Sequence, residues 1–188
     1  MSLELRSNDD LTIDIVESGI VTWDDLTRCV ERFHYGRNEN REDFALVWRE
    51  RKGTCSSKHA FLKMMADLNG LKDIKLYLCM YKMNGLNTPG IKSVLNQYGI
   101  EYIPEAHCML KCKDDWCDFT NIGSNERVNR LQKDLLTKFE IRPEQVISEK
   151  VQYHKKYIQN WIKKQSLNYS FDEIWSIREH CISALENK

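Results

Sequence analysis

Residues 51–70 read RKGTCSSKHAFLKMMADLNG. Thr54 has the side chain of a helix cap, and Phe61, Leu62, Met65 and Leu68 follow at helical spacing, with Asn69-Gly70 as the stop. The spacing predicts a helix that begins at Cys55. A cysteine used only to fill space belongs deeper in such a pattern. At the first helical position the partial positive charge of the helix end acts on the sulfur instead.

The flanking sequence sets this helix in an α+β context. Upstream, Thr22 to His34 predicts a helix with Leu26, Cys29, Val30 and Phe33 on one face. The polar stretch YGRNENRED follows, in which Arg37, Asn38 and Asn40 form a loop suited to flank a cleft. A short helix from about Glu42 to Arg51 then buries Phe44, Val47 and Trp48. Downstream, IKLYLCMYKM (74–83) is apolar on both alternating sets, which predicts a strand covered on both faces. After the turn-rich NGLNTPG comes an amphipathic piece around Ile91 to Tyr98. AHCMLKC, KDD and WCDFT then read as a β-hairpin.

Beyond the hairpin the pattern is helical. Val128, Leu131, Leu135 and Phe139 share a helix face, and Pro143 opens a helix carrying Ile147, Val151, Ile158, Trp161 and Ile162. Ser170 and Glu173 form a capping box ahead of Ile174, Ile177, Cys181 and Leu185. The expectation is one domain over 1–188. Its core spans about 42–122, with a helical N-terminal segment 1–41 and a helical C-terminal extension 123–188.

Lys+Arg and Asp+Glu both number 28, so net charge offers no argument for a nucleic-acid or anionic-membrane partner. No apolar run approaches the ~20 residues of a membrane helix, and MSLELRSNDD lacks an apolar signal core, so a cytoplasmic protein is expected. Seven cysteines, an odd number, argue against a disulfide framework. Cys29, Cys79 and Cys181 fall on apolar faces as filler. Cys108, Cys112 and Cys117 lie beside His107, but two of them occupy the opposite strand face and their spacing does not make a zinc knuckle. No cofactor and no metal is expected.

A thiolate is the reactive form of cysteine, and a free thiol titrates near ~8.5. A helix end contributes roughly 0.3–1 kcal/mol to an anion, and one pKa unit is about 1.36 kcal/mol, so the dipole alone falls short. A histidine held in orientation by a third group must supply the rest. His107 opens the first hairpin strand, and Asp118 lies on the second with Trp116 and Thr120 on the same face. A turn between Cys112 and Lys113 sets Asp118 opposite His107, whereas a three-residue turn at Lys113-Asp114-Asp115 sets Asn121 there. His59 shares the helix face of Cys55 and is expected as an accessory or surface residue. His154 reads as a satisfied core histidine, and Trp161, Trp175, Tyr153 and Tyr157 as helix-packing residues.

GTCSSKHAFL, then EAHCMLKC, then WCDFT resembles, in order and in element type, the transglutaminase-like superfamily. The similarity covers about 42–122. The hairpin is shorter than is usual there, and Phe119 stands where that family often has proline. The resemblance implies a papain-like core in which Cys55 is the nucleophile, His107 the base and acid, and Asp118 the orienting carboxylate. It implies a cysteine hydrolase or acyltransferase acting on a peptide, protein or small amide substrate. Its alternative is a catalytically inactive binding or scaffold module on the same fold. The chain carries no calcium-loop pattern, which disfavours a calcium-activated cross-linking enzyme. The sequence is silent on oligomeric state.

Overall fold

The chain opens with α1 (Asp10–Glu17) and α2 (Trp23–Glu31). Thr22 caps α2 by accepting a hydrogen bond from the Asp25 N–H, as its position suggested. α1 falls within the N-terminal segment expected to be helical, although the pattern marks no separate helix there: its apolar face is short, and the Asp9 side chain that caps it at the Thr12 N–H is the stronger signal. The computed structural model describes residues 3–186.

Two short parallel strands, β1 (His34–Tyr35) and β2 (Lys52–Gly53), bracket α3 (Leu46–Glu50). α3 is shorter than the Glu42–Arg51 expected, although Phe44, Val47 and Trp48 are buried. It ends where Arg51 turns into the left-handed region and lays its guanidinium over the Trp48 ring. α4 (Cys55–Leu68) begins directly after β2.

A four-stranded antiparallel sheet follows, in the spatial order β5-β4-β3-β6. β3 (Ile74–Asn84) leads through a 3₁₀ turn (Pro89–Ile91) and α5 (Lys92–Gln97) to β4 (Tyr102–Cys112) and β5 (Asp115–Cys117). α6 (Ser124–Lys133) precedes β6 (Leu135–Ile141), a 3₁₀ turn (Pro143–Val146), α7 (Glu149–Lys164) and α8 (Phe171–Glu186). The Ser170–Glu173 capping box forms at the start of α8. The architecture is α+β. No helix among the described residues is long and apolar enough to cross a membrane.

The sheet separates two apolar clusters. On one face Leu76, Leu78, Met80, Ala106, Cys108 and Leu110 pack with α2, α3 and α4. On the other, Cys79, Tyr81, Met83 and Met109 pack with residues of α5, α6, α7 and α8. β3 is therefore covered on both sides, which accounts for its unbroken apolar run.

Three sequence expectations change. Leu135 and Phe139 belong to β6, not to a helix, because the free edge of β3 pairs with them: Leu78 stands opposite Phe139 and Leu76 opposite Ile141. The segment 123–188 is thus not wholly helical. β4 begins at Tyr102, so His107 lies inside the strand rather than opening it. The hairpin turns on two residues, Lys113 and Asp114, with Cys112 paired to Asp115, Lys113 in the left-handed region and Leu110 paired to Cys117. Both expected registers are wrong. Continuing this ladder would set Thr120 opposite His107, but the chain leaves it after Cys117.

Candidate active site

Thr54 and Ser57 close the N-terminus of α4 reciprocally. The Thr54 N–H donates to Ser57 Oγ (2.9 Å), and the Ser57 N–H donates back to Thr54 Oγ1 (3.4 Å). Gly53 permits this: a Cβ there would stand 2.8 Å from Lys58 Cγ and 2.9 Å from Ser57 Oγ. Cys55 is left at the first helical position, 9% exposed.

His107 projects from β4 on the same face as Glu105 and Met109. Its Nε2 is 2.8 Å from Asp118 Oδ2, so Nδ1 is the nitrogen left to hydrogen-bond Cys55. Asp118 reaches His107 from just beyond the end of β5, diagonally across the interrupted ladder. Its placement is fixed from several sides. Oδ1 accepts the Thr120 N–H (2.9 Å) and the Thr120 hydroxyl (2.5 Å), and its own N–H donates to Asn125 Oδ1 of α6 (2.7 Å). The side chain at His107 Nε2 is that of Asp118, not Asn121. The Asn121 N–H donates to Ser124 Oγ at the start of α6.

His59 is wholly buried, not a surface residue. Its Nδ1 lies 2.7 Å from the Cys55 carbonyl, and its Nε2 accepts the Phe119 N–H at 2.9 Å. Those partners define a neutral ring protonated at Nδ1. Burial pushes its pKa down to about 4, outweighing the nearby Asp118 carboxylate. The 3.6 Å approach of His59 Nε2 to Asp118 is therefore no ion pair. His59 pins the Asp118–Thr120 segment to the first turn of α4. Lys58 makes the matching tie: its fully buried ammonium donates to the Phe33 and Thr120 carbonyls, both at 2.6 Å.

The electrostatics separate Cys55 from the other buried thiols. Burial pushes the Cys55 thiol up, but the adjacent His107 imidazolium and its hydrogen bond outweigh that. With Lys150 and the Cys108 N–H assisting, they bring it down to about 6. Burial pushes the His107 pKa down, but Asp118 and Cys55 push it up by more, and the balance lies well above the usual histidine value. The Asp118 carboxyl is held far below its ordinary range by the same imidazolium, against its burial. Burial alone dominates at Cys79 and Cys108, both pushed up to about 12. Cys117 is lowered by a hydrogen bond from Cys112. All seven cysteines are free thiols. Among the described residues no three His, Cys, Asp or Glu side chains are grouped to hold a metal ion.

Two cavities, of about 170 and 260 Å³, meet at Cys55 and share Tyr35, Glu105 and Ile182. Arg37 and Asn38 line the first, as the polar loop suggested, together with Lys150. Glu105 is buried and bound by two hydrogen bonds to Arg178 of α8, 2.6 and 2.8 Å. His154 of α7 is satisfied by the Pro104 carbonyl (2.8 Å). Tyr35, Glu105, Lys58 and Arg178 were not singled out in the sequence. Their only sequence signal is a polar residue inside an apolar pattern, which Lys58 and Glu105 do show.

Comparison with family models, with curated proteins and with solved structures finds no match to this chain.

Proposed function

We propose that the protein is a cysteine hydrolase or acyltransferase with a papain-like, transglutaminase-like core. One observation carries this reading: a buried thiol at a helix N-terminus faces an imidazole whose far nitrogen is 2.8 Å from a buried carboxylate. Cys55 attacks an amide or ester carbonyl of a peptide, protein or small-molecule substrate. The Cys55 N–H, one of the first-turn donors the helix leaves without an internal acceptor, contributes to stabilising the oxyanion. His107 returns its proton to the leaving group, and Asp118 keeps the ring in the orientation that makes this possible. The acyl-enzyme is then released to water or to an amine.

The thiolate is tested with iodoacetamide, following each cysteine by peptide mass spectrometry from pH 5 to 9. Cys55 is expected to react with a midpoint near pH 6, and His107→Ala to move that midpoint to about 8.5 or above. The sign follows from the lowered pKa: the anion persists down to the folded value. If Cys55 titrates like a model thiol, the fold is an inactive scaffold and the proposal is wrong.

A further inference from the structure

We infer that the Tyr35 hydroxyl is the second donor to the oxyanion, a catalytic residue for the reaction proposed above and dependent on that reading. Its position is set by the small parallel pairing between β1 and β2. The His34 N–H donates to the Arg51 carbonyl (3.0 Å) and the Gly36 N–H to the Gly53 carbonyl (3.3 Å), so Tyr35 is held opposite Gly53, two residues before the nucleophile. A two-residue ladder contributes little to stability. Its consequence is to bring a phenol to the first turn of α4.

The side chains shared by the two cavities at Cys55 leave little choice of donor. Ile182 is apolar, and Glu105 is an anion already spent on Arg178. Tyr35 has the one O–H among them. That hydroxyl makes no hydrogen bond to any of the described residues, whereas the nearby Tyr81 hydroxyl lies 3.5 Å from Thr88 Oγ1. Tyr35 is half-buried, and its hydroxyl is not sealed away from the two cavities it lines. An unengaged hydroxyl beside a nucleophile is a donor held for an acceptor that arrives with the substrate. Burial, with the anions of Cys55 and Glu105 nearby, pushes the Tyr35 phenol well above its usual value, so it keeps its proton at neutral pH.

In the step itself, Cys55 Sγ bonds to the carbonyl carbon as the C=O π pair moves onto oxygen. The Cys55 N–H and Tyr35 O–H donate to that oxygen. Collapse reforms the C=O and breaks the bond to the leaving group, which departs with its electron pair and takes the His107 proton where its basicity requires one.

Two reagents with different transition states test this. Iodoacetamide loses iodide from a saturated carbon and generates no oxyanion; p-nitrophenyl acetate acylates through one, releasing p-nitrophenolate. Both rates are measured at pH 7 for wild type and Tyr35→Phe, with Cys55→Ala as the background and thermal melting as the check on folding. The expected result is an unchanged alkylation rate with acylation slowed about 10²–10³-fold. Unchanged acylation overturns the assignment. So does an equal fall in both rates, which would make Tyr35 a support of the thiolate or of the fold. A wild-type Cys55 inert to iodoacetamide removes the nucleophile reading instead, and rapid alkylation without p-nitrophenolate release removes the carbonyl chemistry; the inference falls with either.

Discussion

Asp118 is held by five groups: the Thr120 N–H and hydroxyl, His107 Nε2, Asn125 Oδ1 at its own N–H, and, through Phe119, His59. That number of ties suits a carboxylate whose work is to hold another residue's charge. Asp118→Asn retains the shape and removes the charge, so His107 loses the larger of its two stabilising anions. The thiolate in turn loses imidazolium. Each pKa unit regained by Cys55 lowers the thiolate fraction tenfold below the midpoint. Alkylation of Cys55 at pH 5.5 is therefore expected to fall about tenfold or more in Asp118→Asn, with wild-type circular dichroism. An unchanged rate would mean that the carboxylate does not act through His107.

The first turn of α4 depends on an element that looks negligible. β2 delivers Gly53 where no side chain fits, and the capping box closes over it. Gly53→Ala forces Ser57 or the buried Lys58 to move. It is expected to cost about 1–3 kcal/mol in urea unfolding and to raise the Cys55 midpoint toward that of a free thiol. Loss of stability without any change in that midpoint would separate the cap from the site. The same elements show what could be read from residues alone. Cap, apolar stripe and stop defined α4 because all three signals are local. Residues 74–83 declared themselves a strand covered on both faces by their apolar run. Leu135 and Phe139 fitted a helix spacing equally well, and only the vacant edge of β3 decided for a strand. Alternation left both Asp118 and Asn121 open as partners of His107, each on a hairpin register that the chain does not adopt. No ladder position pairs His107 with Asp118; the early end of β5 lets the chain turn back.

Across the whole chain, the helices that follow the sheet are tied to the site through the Glu105–Arg178 ion pair, among other contacts. Arg178 of α8 reaches Glu105, two residues from His107, while Ile174, Ile177 and Cys181 fill the second apolar cluster. Burial pushes the Glu105 carboxyl up, and Arg178, with His154 behind it, holds it down at about 2. A depressed carboxylate contributes stability in full above its unfolded value of 4.5 and loses it as the pH falls toward the folded one. Between pH 4.5 and 2 that loss is on the order of 3 kcal/mol, to which Asp118 adds in the same direction. Urea midpoints should therefore fall steeply over this window. Glu105→Gln, which leaves Arg178 buried and unpaired, should be less stable by about 3–5 kcal/mol at pH 7 and should converge on wild type near pH 2. Parallel curves would assign the acid transition to other groups.

The shortness of β5 has one more consequence. Where a strand stops early, its neighbour presents bare amides, and bare amides on an edge are where other copies of a chain add on. Here β4 runs on past the end of β5, and the Cys108 N–H on that edge is turned toward the chain's own Cys55 sulfur, whose pKa it helps to lower. The thiol proposed as nucleophile thus also stands against the open edge of the sheet.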